Sequence, residues 1–199
     1  MNTVEPVHLV GRIVQLEPLT LAHVPALVRA GLDPLLWRLQ PRAIDSPEAM
    51  RAYVELALAD QARGASLPFA IVSAASGAVI GSTRFLDIAL AHRRLEIGAT
   101  WLSPAAQRTG ANADAKLLLL THAFETLGLN RVVFKTEAGN TASRAAILRL
   151  GARQEGIFRQ HLIADSGRLR DMVYFAILAE SWPGVKARLL ERVAKHATL

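Results

Sequence analysis

The chain has 199 residues, 51% of them hydrophobic, no cysteine, and a formal net charge of +6. That composition predicts one packed domain over residues 1–199 rather than a disordered chain, and the missing thiols exclude a disulfide frame, a thiolate metal site and a cysteine nucleophile. No apolar run approaches the roughly 20 residues of a membrane span, and Met1–Pro6 lacks a secretory pattern. The arginines are dispersed and aromatics make up only 6%, so a cytoplasmic protein without a nucleic-acid face is expected, its basic excess suited to surface charge or to a multiply phosphorylated small ligand.

Alternation over Arg12 to Glu17 predicts a first strand. Thr20 is placed to cap a helix running to about Ala30, and Ser46-Pro47-Glu48 opens a second, with Met50, Tyr53, Val54 and Ala57 on one face. Leu67 to Ser73 and Val79 to Ile88 form a hairpin about Ser76-Gly77. Arg94 to Leu102 is a third strand of this group, its Gly98 marking a bulge or a close backbone approach. A helix follows with Leu117, Leu120, Phe124 and Leu127 on one stripe and Gly128 as its stop.

Arg131 to Thr136 reads as a short buried strand. Asn140 caps a helix that stops at Gly151. Ala152 to Ile163 and Leu169 to Leu178 make a closing hairpin about Asp165-Ser166-Gly167, and Ser181-Trp182-Pro183 opens a last helix. This order predicts a mixed α/β (α+β) sheet packed by helices, with one parallel crossover from the strand ending at Leu102 to the strand at Arg131.

The stretch from Thr100 to Leu120 carries the chemistry. A strand ends, a short loop Gln107-Arg108-Thr109-Gly110 follows, and a leucine-rich helix begins. Helix starts leave backbone N–H groups unpaired and carry partial positive charge, which suits phosphate, and Gly110 permits close approach. A plain turn before an amphipathic helix accounts equally well for this window. The Gly-Lys-Ser/Thr ending and the Gly-x-Gly-x-x-Gly pattern are both absent.

Lined up together, Leu95-Glu96-Ile97-Gly98-Ala99-Thr100-Trp101-Leu102, Gln107 to Asn112, Asn140-Thr141-Ala142-Ser143-Arg144, Leu150-Gly151-Ala152 and Glu155-Gly156 resemble the Gcn5-related N-acetyltransferase (GNAT) superfamily. Within it, the chain is most similar to the RimJ/RimL branch of ribosomal-protein N-terminal acetyltransferases. The resemblance runs from about Leu9 to Trp182. It implies a mostly antiparallel central sheet of about seven strands, splayed at its central strands and flanked by helices. It also implies acetyl-CoA as co-substrate, with its pantetheine arm along Thr100, Trp101 and Leu102. The diphosphate would lie on Gln107, Arg108, Thr109, Gly110, Ala111 and Asn112, with Asn112 standing where a small residue is usual. Asn140 and Ser143 would contact the arm, Ser143 near the sulfur as a proton donor to the leaving thiolate.

Acetyl transfer needs a neutral amine and a route for its proton. Glu96, Glu155, His161 and Asp171 are the candidate bases. Glu96 heads them because it lies one pleat from Gly98; a plain ion pair of Glu96 with Arg84 or Arg94 is the competing reading. An α-amine, with a pKa of about 7.7–8.0, is roughly a tenth neutral near pH 7, and a lysine far less so. An α-amine or another readily deprotonated amine is therefore favoured, and the resemblance to the RimJ/RimL branch implies a protein N-terminus as the acceptor. A small-molecule amine and a non-catalytic coenzyme A-binding role are the alternatives. Trp37, Arg42, Arg84 and Tyr174 are candidates for the acceptor pocket, no metal is expected, and a homodimer is compatible with the resemblance.

Overall fold

In the computed structural model, which describes residues 4–197, a single eight-stranded sheet runs in the order β1-β2-β3-β4-β5-β6-β8-β7. Its strands are β1 (Leu9–Val10), β2 (Val14–Pro18), β3 (Ser66–Ser73), β4 (Val79–Ala89), β5 (Arg94–Leu102), β6 (Arg131–Glu137), β7 (Arg153–Ile163) and β8 (Leu169–Leu178). Every neighbouring pair is antiparallel except β5 and β6, which are parallel. The eighth strand, beyond the seven expected, is β1, a two-residue segment too short to carry an alternating signal.

Five helices cover the sheet: α1 (Val24–Gly31), α2 (Pro47–Ala62), α3 (Ala111–Thr121), α4 (Thr141–Leu150) and α5 (Trp182–Ala197). The residues around Thr20 form a 3₁₀ turn before α1 rather than its first turn. The predicted caps of the next helices hold. Ser46 Oγ accepts from Ala49 N at 3.1 Å, and Asn140 Oδ1 accepts from Ser143 N at 3.0 Å. The leucine helix ends earlier than its apolar stripe, at Thr121, and continues as one π turn over His122–Thr126.

Alternation along the central strands divides the core between the two faces. Leu67, Phe69 and Ile71 of β3, Phe85 of β4 and Leu95 and Ile97 of β5 pack against α3, α4 and α5. On the opposite face Ala70 and Trp101 pack with Leu27, Trp37, Ile44, Met50 and Val54 from α1, α2 and the loop between them. The region around the end of β5 therefore has α3 on one side and the α1–α2 pair on the other.

Candidate active site

The sheet opens beside β5. Pairing with β6 covers Arg94↔Arg131, Leu95↔Val132 and Glu96↔Val133 and goes no further, although β6 continues against β8 to Glu137↔Met172. Beyond Glu96, the β6-facing edge of β5 has no strand partner. On its other side β5 stays paired to β4, but the register slips: Arg84 faces Gly98 and Ser82 faces Trp101. One extra residue of β5 is accommodated there, and Ala99 takes a φ of 47°. The bulge signalled by Gly98 is thus centred one residue later. Gly98 has its own reason to be glycine, since a Cβ there would stand 2.7 Å from Glu96 Oε1.

The open edge leads into the loop before α3. Gly110 sits at the helix N-cap with φ 84°, and Arg108 also has a positive φ of 65°. Asp114 N, bonded to Gly110 O at 3.0 Å, is the first N–H of α3 with an intrahelical acceptor, so the amides before it face outward unpaired. The loop side chains are tied back: Gln107 Nε2 donates to Leu102 O at 3.2 Å and Thr109 Oγ1 to Ala106 O at 2.7 Å. Arg108 is exposed, Ala111 is buried, and Asn112 is half-buried, its side chain making no hydrogen bond among the described residues. A helix start with free amides, a positive-φ glycine and a free side-chain amide fits a diphosphate.

Buried Asp114 fixes the direction of α3. Its Oδ2 accepts from Ile13 N at 2.6 Å and Val14 N at 3.0 Å, tying the helix start to β2. Further along α3, Lys116 turns inward, and Nζ donates to Thr100 Oγ1 at 2.6 Å and to Thr83 Oγ1 at 3.4 Å. Burial lowers its pKa to about 7. The side chain of Thr100 is therefore engaged beneath the sheet, that of Leu102 lies in the core, and that of Trp101 packs on the α1–α2 face. Only the main chain of these three borders the open edge. Lys116 was not singled out in the sequence, although a lone cation ahead of four leucines is the signal that marks it.

Glu96 is 4% exposed and its Oε2 lies 2.8 Å from Lys135 Nζ of β6. Burial raises its pKa, and the Lys135 ammonium partly opposes that. The competing reading, an ion pair of Glu96 with Arg84 or Arg94, is corrected in its partner: Glu96 pairs with Lys135, Arg94 binds Asp87, and no carboxylate lies within ion-pairing distance of Arg84 among the described residues. The other carboxylate candidates serve the hairpin. Glu155 pairs with Arg131, and Asp171 Oδ1 accepts from Gln160 N at 2.7 Å. His161 Nε2 lies 3.0 Å from Tyr174 OH.

A cavity of about 280 Å³ opens beside the bulge, lined by Trp37, Tyr53, Arg84, Leu86, Ala99 and Trp101, with Arg42 and Asp165 at its rim. Of the four pocket candidates, Trp37, Arg42 and Arg84 reach it and Tyr174 does not. The loop before α2 closes it from outside. Arg42 Nε bonds Asp165 Oδ2 at 2.8 Å, and Asp165 N bonds Pro41 O at 3.0 Å. Ser143, in the first turn of α4, is half-buried.

A strand split from its neighbour, a phosphate-suited helix start below it and a buried carboxylate at the bulge are the features of an acyltransferase fold. The family model described as "Acetyltransferase (GNAT) domain" matches residues 14–153, and the chain belongs to this family. It is 34% identical over 110 residues to "Putative ribosomal N-acetyltransferase YdaF" of Bacillus subtilis, covering 55% of this chain and 59% of that protein. It is 30% identical over 96 residues to "Uncharacterized N-acetyltransferase YoaA" of the same organism, covering 48% and 54%. The chain thus spans between half and two thirds of these relatives. Among solved structures, a GCN5-related N-acetyltransferase from Brucella melitensis superposes with a TM-score of 0.89 at 29% identity, covering 96% of this chain and 87% of that one. "Mycobacterium smegmatis RimJ in complex with CoA-disulfide" gives 0.76 at 26%, covering 96% and 94%.

Proposed function

We propose that this protein transfers an acetyl group from acetyl-CoA to a primary amine, by direct attack with both substrates bound, and that the amine is the α-amine of a protein N-terminus. The observation that carries the reading is the unpaired edge of β5 running from the α3 loop to buried Glu96, with a partly open cavity beside the bulge. Residues of the α3 loop, Gln107 to Asn112, hold the diphosphate through main-chain amides. The main chain of Thr100, Trp101 and Leu102 pairs with the pantetheine arm as an added strand would, and Asn140 and Ser143 approach it from α4. Bound there, acetyl-CoA supplies the activated acetyl thioester.

The protein's own groups handle the protons. Glu96 accepts the proton of the incoming amine at a carboxylate oxygen, and its raised pKa brings it nearer the amine's own. Main-chain N–H groups at the bulge polarise the acetyl carbonyl. Ser143 donates its hydroxyl proton to the departing sulfur. With one buried carboxylate held beside a lysine, the site suits an amine that is already partly neutral, an α-amine rather than a lysine side chain. The name of one relative, "Putative ribosomal N-acetyltransferase YdaF", is in keeping with a protein acceptor.

A small-molecule amine is the second reading, favoured by the closed rim of the cavity at Arg42, Asp165 and Pro41. Thiol release from acetyl-CoA, followed across N-terminal peptides and free amines with mass spectrometry of the products, tests both. Acetylated peptide α-amines support the first; acetylation confined to free amines supports the second. Coenzyme A binding without transfer to any amine refutes catalysis.

A further inference from the structure

Two buried arginines of this chain are treated differently. Arg170 and Arg84 are each 5% exposed. Arg170 Nε is neutralised by Glu137 Oε2 at 2.8 Å. Arg84 has no counterion among the described residues: its guanidinium carbon lies 4.2 Å from the centre of the Tyr53 ring, its Nη2 reaches Tyr53 O at 3.4 Å, and its Nε bonds to nothing. A buried guanidinium is ordinarily held by a carboxylate.

The three tryptophans repeat the contrast. Trp37 Nε1 donates to Gly31 O at 2.7 Å and Trp182 Nε1 to Glu125 Oε1 at 2.6 Å. Trp101 Nε1 is buried without an acceptor. Arg84 and Trp101 line the same cavity. Arg84 lacks the negative charge that an anionic ligand would bring, and a buried cation without a counterion is costly. Trp37, Tyr53, Ile44, Leu56 and Leu86 supply apolar or aromatic wall, and the polar remainder is Gln40 and the Arg42–Asp165 pair, whose carboxylate is already neutralised.

The register places Arg84 relative to the base. Arg84 faces Gly98 and Leu86 faces Glu96 across β4 and β5, so Arg84 and Glu96 are offset by two residues along the strands, about 7 Å. An acceptor whose amine meets Glu96 has an anionic group a few bonds away beside Arg84.

We propose that Arg84, beside the Trp101 ring, forms a carboxylate-binding subsite, and that the acceptor is an amine bearing a nearby carboxylate on an apolar or aromatic body. The direction of the amine rests on the acetyl-transfer reading; the anion site does not. The carboxylate has two possible sources, the α-carboxylate of a free amino acid or an acidic side chain on the first residue of a peptide.

The test is equilibrium binding to the full chain in the presence of coenzyme A, read by tryptophan fluorescence from Trp37 and Trp101. The probes are two matched pairs: N-acetylphenylalanine with its amide, and acetyl-Asp-Ala-amide with acetyl-Asn-Ala-amide. The acid member of at least one pair binds tenfold tighter or more, and which pair does so identifies the source. In Arg84→Met that preference falls below twofold while coenzyme A affinity is retained. Acid and uncharged members binding alike in both pairs overturns the proposal, and so does a preference that survives in Arg84→Met. Should that variant not fold, the wild-type comparison decides alone. Discrimination by charge without acetylation of the corresponding amines leaves the subsite standing and refutes the acetyl-transfer reading.

Discussion

Lys116 Nζ donates to Thr100 Oγ1 across 2.6 Å, joining the middle of α3 to the part of β5 that has parted from β6. Thr83 Oγ1 completes the group, 2.7 Å from Thr100 Oγ1. No carboxylate takes part, and Lys116 is only 5% exposed. The helix that begins at the phosphate-suited loop and the strand that borders the open edge are thus held together by a buried amine and two hydroxyls.

That arrangement predicts a specific dependence of stability on pH. Burial lowers the Lys116 pKa from 10.5 to about 7 in the folded chain. Above 10.5 the amine is neutral in both states and carries no penalty. As pH falls from there to about 7, the unfolded chain takes up a proton that the folded chain does not, and stability is lost by up to about 1.4 kcal/mol per pH unit. Below about 7 the penalty is constant. In Lys116→Met this contribution disappears, and at pH 6 the variant is as stable as the wild type or more so. Urea unfolding from pH 6 to 9.5 measures the difference; parallel stability curves for the two proteins would count against a buried, depressed lysine.

Glu96 gives a kinetic counterpart. Glu96→Gln lowers kcat by about a hundredfold or more, the usual contribution of a positioned base, with acetyl-CoA affinity unchanged. The carboxylate is the working form, so kcat falls as pH drops through its raised pKa. Lys135→Met removes the cation that opposes the effect of burial, raises that pKa further, and moves the acidic limb of the kcat profile to higher pH. A limb that stays in place in Lys135→Met, or a full rate in Glu96→Gln, assigns the proton to another group.

What the sequence made legible was local. β5 and β8 coincide with their expected spans because most of each is apolar and turns or loops bound both ends, and the caps at Ser46 and Asn140 follow from the nearest three residues. Contacts between distant segments were not legible. Lys135 directly follows the apolar run Val132-Val133-Phe134 and meets Glu96 only because β5 and β6 run parallel. Arg84 reads as one more dispersed arginine until the cavity beside it is seen. The end of α3 escaped for a different reason: Phe124 and Leu127 keep the apolar stripe going, while Leu127 N bonds His122 O, a five-residue spacing that periodicity cannot register.

Ser143 and Asn140 separate by what their loss does. Ser143→Ala keeps the helix cap, because the Ser143 main-chain N–H is the donor to Asn140 Oδ1. It slows turnover by about tenfold or more at unchanged coenzyme A affinity, as expected of a proton donor to the thiolate. Asn140→Ala removes the cap, lowers stability by about 1 kcal/mol, and weakens coenzyme A binding. Steady-state rates and calorimetric titrations of the two variants distinguish the roles; an unaltered rate in Ser143→Ala removes it from the chemistry.

Gly110 tests the diphosphate cradle against plain backbone strain. Its φ is 84°, and a Cβ there would stand 2.7 Å from His196 Cβ and 2.8 Å from Ile13 Cδ1. Gly77, in the β3–β4 turn, has a φ of 67° with nothing within 4 Å of such a Cβ. Gly77→Asp therefore reports the cost of a left-handed conformation alone, about 1–3 kcal/mol, with acetyl-CoA binding intact. Gly110→Asp adds the steric conflict and sets a carboxylate among the outward amides of α3. Its melting temperature falls below that of Gly77→Asp, and its acetyl-CoA affinity drops at least tenfold in calorimetry. Equal affinities in the two variants would place the diphosphate elsewhere, since a charge set at the start of α3 cannot be indifferent to an anion bound there.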